Sequence, residues 1–476
     1  MRPLRTSKIF MHLTDTIAAI ATPPGEGGIG IVRLSGPKAE AIASRLFSTG
    51  RDISHFVSHR LYYGTIEDPT EKRTIDSCLM SVMKGPRSFT GEDTVEFQCH
   101  GGQLLLKRLL EALIRQGARL ADAGEFTRRA FLNGKIDLAQ AEAIMDVIKA
   151  KTDLALSVAH NQLSGRISRE VNGIKGRLAT LLSRVEAELD FPAEEDISTV
   201  SPSETAAELE EIEKRLMRLL ETYEEGKIIS EGVRVVILGR PNVGKSTLLN
   251  LLLREERAIV TPIPGTTRDV IEEVVNIRGI PVRLMDTAGL REGADTVEAI
   301  GLRFAQERLK DAHLVLYVTD FSSCSEEDKA HLSAIRGKKV IVVINKTDLA
   351  ADGEIERAST FFGAWRTVPL SALQERGVGL LEGAIFEEAT SHSPRYGTAI
   401  DRGGDDLVIT SVRHRAALEG ACEAIKRGGE ALSEGLSGEF LALELRGVIE
   451  KVGEITGEVT NEDILEEIFS HFCIGK

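Results

Sequence analysis

A segment at residues 239–247, GRPNVGKST, combines glycines, a lysine and hydroxyl residues at spacings that suit phosphate binding. It fits the pattern GxxxxGK[ST] and joins an apolar run, VRVVIL, to a helical stretch, TLLNLLL. In such a loop, backbone N–H groups and a helix N-terminus surround the phosphate oxygens. Lys245 adds positive charge at the β- and γ-phosphates, and the Ser246 hydroxyl ligates Mg²⁺. An ordinary glycine-containing turn is the alternative, and the strand–helix context argues against it.

Three later segments follow strand-like runs and indicate that the nucleotide carries guanine. DTAG, at 286–289, offers an acidic residue for magnesium through water and a glycine N–H for the γ-phosphate. NKTD, at 345–348, includes Asp348, which can accept both N–H donors of the guanine edge, and SAL, at 371–373, can contact the guanine carbonyl through backbone N–H groups. Together with the first segment, they resemble the P-loop GTPase family. The nucleotide contacts predicted from these segments are Asn242, Val243, Gly244, Lys245, Ser246, Thr247, Asp286, Thr287, Ala288, Gly289, Asn345, Lys346, Asp348, Ser371, Ala372 and Leu373.

The residue after DTAG is Leu290, where the Ras-type pattern has a glutamine that orients water. A leucine side chain cannot orient water, so hydrolysis needs another residue, an ion or a partner. Asn242 in the loop and TPIPGTTRD at 261–269 resemble the GTPases that potassium and G-domain dimerisation activate. Simple turn chemistry is the alternative for Asn242. The resemblance implies K⁺ ligands at the Asn242 side chain and at carbonyls around Thr261, Ile263 and Thr266, Mg²⁺ ligands at Ser246 and Thr267, and further nucleotide contacts at Pro262, Pro264 and Gly265.

Three kinds of hydrophobic pattern follow one another along the chain and indicate the elements that position these residues. Residues 1–134 mix short apolar strands with Gly/Pro turns, which is typical of an α+β domain. Residues 135–225 have helical periodicity, with Ala141, Ile144, Met145 and Ile148 on one face and Ser203 as the N-cap of a later helix. Residues 226–389 alternate strand-like and helical runs, as in a parallel sheet covered by helices, and 390–476 are helical again. The predicted fold class is multidomain: an N-terminal α+β domain, then a helical bundle into which an α/β domain is inserted.

The composition restricts the class of protein and its partners. The net charge is −14, so any RNA contact needs a local basic patch or a partner protein. The five cysteines are scattered without a CxxC pair, which fits a reducing cytoplasm, and no apolar run approaches the length of a membrane span. GEGGIG at 25–30 fits GxGxxG, but a strand-like run follows it, so no dinucleotide site is predicted. Candidate basic patches contain Lys107, Arg108, Arg115, Arg119, Arg128 and Arg129, then Arg413, Arg415, Lys426 and Arg427.

Several motifs outside the GTPase segments resemble one family. They are DTIAAIATPPGEGGIGIVRLSG, SFTGEDTVEFQCHGG, GEFTRRAFLNGKIDLAQAEA and the terminal FCIGK. In this order they resemble the tRNA-modification GTPases called MnmE or TrmE, over nearly the whole chain. The resemblance implies an N-terminal domain that forms a homodimer and binds a tetrahydrofolate one-carbon donor, such as 5-formyltetrahydrofolate. It also implies an FAD-containing partner, MnmG (GidA), with which the protein places an aminomethyl-type group on C5 of the wobble uridine of certain tRNAs.

The same resemblance assigns roles to individual residues. For folate, Arg33 meets an anionic or carbonyl group, Glu96 accepts pterin N–H donors, Lys135 pairs with a carboxylate, and Lys476 adds a contact from the tail. Each of these four is otherwise a surface ion pair. Glu298 orients the attacking water, where a solvated helix-face carboxylate is the alternative.

Cys473 is a candidate reactive thiol in the tail beside the folate pocket, with a buried packing role as the alternative. A prenylation signal is disfavoured, because Gly475 and Lys476 do not fit its pattern.

Two other functions stay open on the sequence. A regulatory GTP switch that assembles ribosomes or other RNA, without modifying it, would carry the same GTPase segments. Binding of 5-formyltetrahydrofolate to the first domain discriminates between that switch and a modifying enzyme. A folate enzyme that acts alone is the weaker alternative, since the chain has no redox cofactor motif.

Overall fold

The structure is a computed structural model that describes residues 15–50, 56–191, 201–255, 273–286, 309–335, 337–391 and 407–476. These residues form two compact units. The described part of the first unit contains residues 15–145 and Gly453–Lys476, and the second contains the chain between Asp146 and Val452. Among the described helices, none combines the length and apolar character that crossing a membrane requires.

The described residues form the following strands and helices, numbered in chain order. The strands are β1 Ile17–Ile20, β2 Gly27–Ser35, β3 Phe47–Ser48, β4 Arg60–Asp68, β5 Arg73–Met83, β6 Thr94–Gly101, β7 Arg119–Leu120, β8 Val233–Leu238, β9 Glu273–Ile277, β10 Ile280–Asp286, β11 Leu314–Asp320, β12 Lys339–Asn345 and β13 Arg366–Pro369. The helices are α1 Ala39–Leu46, α2 Gln103–Arg115, α3 Glu125–Leu132, α4 Leu138–Lys149, α5 Asp153–Leu163, α6 Arg166–Asp190, α7 Pro202–Leu220, α8 Tyr223–Glu231, α9 Lys245–Glu255, α10 Glu326–Ala334, α11 Glu354–Phe361, α12 Val378–Thr390, α13 Val412–Ser433, α14 Gly438–Thr456 and α15 Glu462–Ser470, with a 3₁₀ turn at Thr347–Leu349.

The described residues of the first unit include a seven-stranded sheet in the order β3-β4-β5-β6-β2-β1-β7. Adjacent strands run antiparallel except β1 and β7, which pair in parallel. Helices α1 and α2 cover one face, where Leu106 and Leu109 of α2 pack in one core with Phe97 of β6. Burying each leucine contributes roughly 1.5–3 kcal/mol. Arg33 and Glu96 occupy intervening strand positions and so lie on the opposite face.

The C-terminal residues of the described chain belong to this first unit. Leu465 and Phe469 of α15 share a core with Leu138 and Met145 of α4. After α15, the chain forms a single β-bridge between Ile474 and Ala123. Of the apolar face predicted for α4, Ile148 is the exception, because its side chain is 43% exposed.

In the second unit, helices both precede and follow the sheet along the chain. Gln162 of α5 donates through Nε2 to the carbonyl O of Val408, at 2.9 Å, and to Thr410 Oγ1, at 3.0 Å. These contacts join the helices that precede the second sheet to the chain that follows it. The N-cap of α7 is Ser201 and not Ser203, because Pro202 occupies the first helical position, where proline is favoured.

The second sheet has the order β13-β12-β11-β8-β10-β9 within the described residues. Its strands are parallel except β9, which runs antiparallel to β10. The residues of β11 are buried throughout, as expected for a strand covered on both faces. The predicted fold class, α+β followed by an α/β domain inserted among helices, is confirmed. The predicted boundaries at 134, 225 and 389 stay predictions.

Candidate functional site

The loop between β8 and α9 follows a backbone path that excludes side chains at two glycines. Gly239 has a φ of +143°, and a Cβ there would lie 2.1 Å from the carbonyl O of Val318. Gly244 has a φ of +98°, and a Cβ there would lie 2.2 Å from Asn345 Nδ2. Only glycine permits both the positive φ and the close approach. The loop therefore lies directly against the ends of β11 and β12, and the first N–H groups of α9 follow it, as in an anion site.

Lys245 is the first residue of α9 and turns its side chain back over this loop. Its Nζ donates to the carbonyl O of Gly239 at 2.8 Å and to that of Arg240 at 2.7 Å. These bonds hold the ammonium group beside the loop backbone, where it can neutralise phosphate charge. Ser246 and Thr247 follow with exposed side chains.

Asn345, at the end of β12, connects two of the predicted nucleotide-binding segments. Its Nδ2 donates to the carbonyl O of Val243 at 2.8 Å, and its Oδ1 accepts the N–H of Ala372 at 3.0 Å. The side chain is buried, with 3% of the residue exposed. A buried amide is stable when its donor and acceptor are both paired. One residue thus fixes the phosphate loop relative to the SAL segment.

The SAL segment holds the carboxylate that is predicted to bind guanine. Ser371 donates through Oγ to Asp348 Oδ1 at 2.5 Å and accepts the N–H of Gln374 at 3.2 Å. Ser371 is fully buried, whereas Leu373 is 79% exposed. The serine therefore orients Asp348 and leaves its second carboxylate oxygen for a ligand N–H.

Lys346 extends the same edge of the sheet. It has a φ of +61°, and its Nζ lies 2.6 Å from Asp320 Oδ2 at the end of β11. Burial alone would raise the pKa of Asp320, but hydrogen bonds from Lys346 and Ser322 outweigh it and hold that pKa below its ordinary value. Asp320 is therefore an anion at neutral pH and keeps the lysine stem beside the base-binding segment.

Several predicted residues lie outside the described part of the chain. They are Thr261, Pro262, Ile263, Pro264, Gly265, Thr266, Thr267, Thr287, Ala288, Gly289 and Glu298. Asp286 ends β10, next to β8, so its backbone lies at the strand edge that also carries the phosphate loop. The roles predicted for the residues outside the described part of the chain stay predictions.

The described residues include oxygen donors that suit Mg²⁺ and K⁺. Ser246 offers an exposed hydroxyl oxygen on the first turn of α9, a hard donor that suits Mg²⁺. Asn242 is exposed, with a φ of +63°, and its amide oxygen suits K⁺. No group of three or more His, Cys, Asp or Glu side chains in the described ranges could hold a metal. The remaining ligands would have to come from the nucleotide phosphates and from residues 261–267.

The predicted folate residues Arg33 and Glu96 lie together in the first unit. They face each other across β2 and β6, and Arg33 Nε lies 2.7 Å from Glu96 Oε1. Arg33 Nη1 donates to the carbonyl O of Gly475 at 3.3 Å, and its guanidinium lies 5.6 Å from the centroid of the Phe126 ring. The tail thus contacts the arginine that is predicted to bind folate.

Lys476 and Lys135 have separate neighbours. The carbonyl O of Lys476 accepts the N–H of Phe126 at 3.2 Å, which holds the tail against the start of α3. Lys135 Nζ donates to the carbonyl O of Pro86 at 2.9 Å. The described contacts bring Lys476 close to Arg33, Glu96 and Phe126, here called the Arg33 cluster. The side chain of Lys135, which follows α3, instead contacts the loop before β6.

Cys473 has an exposed side chain. The packing role considered for it therefore does not apply, because buried apolar contact is what that role requires. Backbone groups hold this part of the tail, since Ile474 forms a β-bridge with Ala123 and the carbonyl O of Lys476 accepts the N–H of Phe126 at 3.2 Å. The thiol itself points to no described ion-pair partner, so its reactivity stays a prediction.

A buried ion network in the first unit was missed by the sequence reasoning. Arg129 is 2% exposed and donates to Glu125 Oε1 at 2.9 Å, to Asp15 Oδ1 at 2.5 Å and to Glu92 Oε2 at 3.2 Å. Burial alone would raise the pKa of Glu125, but bonds from Arg119, the Asp122 N–H and Arg129 hold that pKa below its ordinary value. The signal that could have found part of it is Glu125 and Arg129 at i and i+4 on one helix.

Most residues of the first candidate basic patch form ion pairs with acidic side chains. Arg115 pairs with Asp68, Arg119 with Glu125, Arg128 with Glu462, and Lys107 with Glu111 at 4.0 Å. Paired cations add little to the attraction of a polyanion. These ion pairs therefore reduce the positive charge that this patch offers to RNA, and its role in RNA binding stays a prediction.

The chain was compared with known families and structures. The family model for the MnmE helical domain matches residues 138–473, and the model for the N-terminus of the GTP-binding protein TrmE matches residues 16–135. A tRNA modification GTPase MnmE from Geobacter metallireducens is 47% identical over 471 residues, which is 98% of this chain and 100% of the relative. One from Alkaliphilus metalliredigens is 45% identical over 469 residues, again 98% of this chain and 100% of the relative.

Among solved structures, the G domain of the T. maritima FeoB iron transporter is 29% identical, covering 33% of this chain and 98% of that chain, with a TM-score of 0.26. That score is too low to bear on the fold. The two relatives align over nearly their whole length and both family models match, so the chain belongs to the MnmE (TrmE) family of tRNA modification GTPases.

Proposed function

We propose that this chain is a cytoplasmic, potassium-stimulated GTPase whose turnover drives modification of the wobble uridine of certain tRNAs. It acts with an FAD-containing partner, MnmG (GidA), and places a 5-carboxymethylaminomethyl or aminomethyl group on C5 of that uridine. A tetrahydrofolate donor supplies the carbon. The observation that carries the nucleotide site is Asn345, whose two hydrogen bonds join the phosphate loop to the SAL segment.

Hydrolysis in this proposal is in-line attack of water on the γ-phosphate. Lys245 and the N–H groups at the start of α9 bind the phosphates, and Asp348 selects guanine by accepting its N–H donors. Ser246 and Thr267 hold Mg²⁺, and Glu298 orients the water in place of the missing glutamine. Mg²⁺ and K⁺, when bound, would supply positive charge against the charge that develops on the phosphate oxygens.

The potassium site is proposed at Asn242 with carbonyls around Thr261, Ile263 and Thr266. The exposed amide of Asn242 supports this assignment, because its oxygen is accessible to a cation. A turn alone would also accommodate an asparagine there. The effect of the cation on the GTPase rate separates these two interpretations.

The folate site is proposed at Arg33, Glu96, Lys135 and Lys476. The contact between Arg33 and Glu96, and the carbonyl of Gly475 beside them, support a site that the tail completes. A carboxylate next to a guanidinium can meet the donors of a pterin ring and its carbonyl together. Cys473, exposed two residues before Gly475, is the proposed thiol of this site.

Homodimerisation through the first unit is part of the proposal. Tyr63 of β4 lies opposite Leu79 of β5, and these residues are 70% and 38% exposed. Apolar side chains that are clustered on an exposed sheet face favour a protein interface. A second copy of the chain would cover them, so Tyr63→Glu should shift the mass measured by light scattering from dimer to monomer.

Modification itself is tested in cells. In a strain that lacks the chain, nucleoside analysis of tRNA should show an unmodified wobble uridine. The wild-type chain should restore the modification, and Lys245→Ala should not, although it should accumulate to the same level. A fully modified uridine in the deletion strain would contradict the proposal and favour the regulatory switch.

A further inference from the structure

The phosphate loop makes a side-chain contact with a buried carboxylate on α10. Arg240, the second residue of the loop, donates through Nη2 to Asp328 Oδ2 at 2.9 Å. The same nitrogen also bonds to the carbonyl O of Ser323. The side chain of Arg240 is 25% exposed, whereas that of Asp328 is 1% exposed. A charge this buried needs a complete set of partners, or it strongly destabilises the fold.

Asp328 has such a set. Tyr317 donates its hydroxyl to Asp328 Oδ1 at 2.8 Å. Ser325, the N-cap of α10, donates to Oδ2 through its backbone N–H at 2.9 Å and through Oγ at 3.2 Å. These contacts come from β11 and from the start of α10, so they orient the carboxylate independently of Arg240. Desolvation and the bond to Asp328 raise the pKa of Tyr317, so its hydroxyl stays a donor.

Arg240 also carries the carbonyl that orients Lys245. Lys245 Nζ donates to the carbonyl O of Arg240 at 2.7 Å. Thus the buried carboxylate holds the arginine, and the backbone of that arginine holds the ammonium group. Gly239, the residue before Arg240, lies against β11 with no space for a side chain, because a Cβ there would lie 2.1 Å from the Val318 carbonyl O. The first two residues of the loop are therefore both in close contact with the elements around them, Gly239 through its backbone and Arg240 through its side chain.

We propose that Asp328 is a positioning residue for nucleotide binding, which acts through Arg240 on the phosphate loop and Lys245. This inference rests on the nucleotide site proposed above. It assigns no contact between Asp328 and the ligand. Its consequence is selective: removing the pair weakens binding of the phosphates and leaves recognition of the base, since Asp348 is held by Ser371, which lies outside the phosphate loop.

The test uses the full chain and the variants Asp328→Asn, Arg240→Gln, Arg240→Lys and Asp328→Asn/Arg240→Gln. Displacement of a fluorescent GDP analogue gives the affinities of GDP and of inosine diphosphate, which lacks the exocyclic amine. A hydrogen bond to a charged group contributes enough for a loss of roughly 10- to 100-fold in GDP affinity. The GDP-to-inosine-diphosphate ratio should stay within twofold of the wild-type ratio. Arg240→Lys should recover part of the loss.

Two results would overturn the inference: an unchanged GDP affinity in Asp328→Asn, or a base preference that collapses together with GDP affinity. The double variant should lose no more than the worse single variant, because both changes break one contact. Additive losses would also count against the pair. Tyr317→Phe keeps the pair and removes one bond to Asp328, so it should show a smaller loss and serves if Asp328→Asn fails to fold.

Control variants separate this inference from the nucleotide site itself. Asp348→Asn should abolish the preference for GDP over inosine diphosphate, and Lys245→Ala should weaken both ligands. If these two controls bind like the wild type, the proposed nucleotide site is wrong. If they behave as stated and Asp328→Asn binds like the wild type, the positioning role alone is wrong.

Discussion

Arg33 and Glu96 lie directly opposite each other on β2 and β6, and Arg33 Nε donates to Glu96 Oε1 over 2.7 Å. Their side chains are 18% and 17% exposed, so the contact is largely shielded from water. The guanidinium also donates to the carbonyl O of Gly475. It has five N–H donors, more than these contacts use, and therefore has capacity for a ligand.

Glu96→Gln should weaken 5-formyltetrahydrofolate binding by about tenfold or more. The change removes a charged acceptor, and hydrogen bonds to charged groups contribute roughly 1.5–3 kcal/mol. Calorimetric titration of the full chain measures the affinity. Glu67→Gln, an exposed glutamate on β4, is the control and should bind folate like the wild type. Equal affinities for Glu96→Gln and the wild type would remove Glu96 from the site.

Potassium should raise the GTPase rate by at least tenfold over sodium at equal ionic strength. Cationic charge at the phosphates can contribute roughly 10³-fold to phosphoryl transfer, so a tenfold effect is a modest requirement. Asn242→Ala should remove most of the difference between the salts, measured as the ratio of the rates in KCl and NaCl at saturating GTP. Rates that are the same in KCl and NaCl would reject the potassium site, whatever the variant does.

The Glu125 network should make the first unit sensitive to acid. The pKa values of Glu125 and Asp15 are held below their ordinary values, because bonds from Arg119 and Arg129 outweigh burial. Unfolded carboxyls titrate near about 4, so the contribution of this network to stability is fully present above roughly pH 5. It is lost as the pH falls through the lowered folded pKa values.

Glu125→Gln should lower the free energy of unfolding at pH 7 by about 3–5 kcal/mol and flatten its dependence on pH below 5. Urea denaturation at several pH values measures both effects. Glu462→Gln, whose carboxylate lies 3.8 Å from Arg128 and is 46% exposed, is the matched control and should change little. A variant with the pH dependence of the wild type would show that this network is not what titrates.

Gly475→Ala should displace the tail from the Arg33 cluster. Gly475 has a φ of +101°, and a Cβ there would lie 2.3 Å from the carbonyl O of Ile20. Folate affinity should fall by about tenfold, and proteolysis after α15 should become faster. Gly117→Ala is the control, since Gly117 has a φ of +106° with nothing within 4 Å of its added Cβ. If both variants bind folate alike, backbone strain and not tail contact explains the change.

Cys473→Ser should keep folding, GTPase rate and folate affinity, while wobble-uridine modification falls by at least tenfold. The thiol is exposed, so serine removes no packing. Nucleoside analysis of tRNA from complemented cells measures the product. Full modification with the serine variant would end the case for thiol chemistry.

The GTPase segments could be predicted because their signals are local. The spacing in 239–247 and the polar residues at strand ends fix the chemistry wherever a parallel sheet forms. Asn345 was predicted as a nucleotide contact, but its bond to Val243 could not be derived, since it depends on how two loops meet across the sheet. The N-cap predicted at Ser203 lies two residues after the observed one, Ser201, because Pro202 favours the first helical position.

Long-range pairing limits what the charges reveal. Arg119 and Arg129 belong to a sequence cluster that suggests a basic surface, yet their partners Asp15 and Glu92 lie far away in sequence. Whether a cation faces solvent depends on such partners, which no local pattern contains. For the same reason Arg240 in the phosphate loop gave no sign of its bond to Asp328, 88 residues later.

The first unit combines strands from the start of the described chain with residues after Gly453. A ribosome makes about 5–20 residues per second, so the roughly 430 residues between Ile17 and Gly453 take on the order of 20–90 s. From their own synthesis until the end of this interval, Phe126 and Leu138 lack the partners that the tail and α15 later provide. The core of the first unit is therefore completed only after the second unit has been made, and a stop codon ahead of α15 would release a first unit that lacks Leu465, Phe469 and Phe472 in that core.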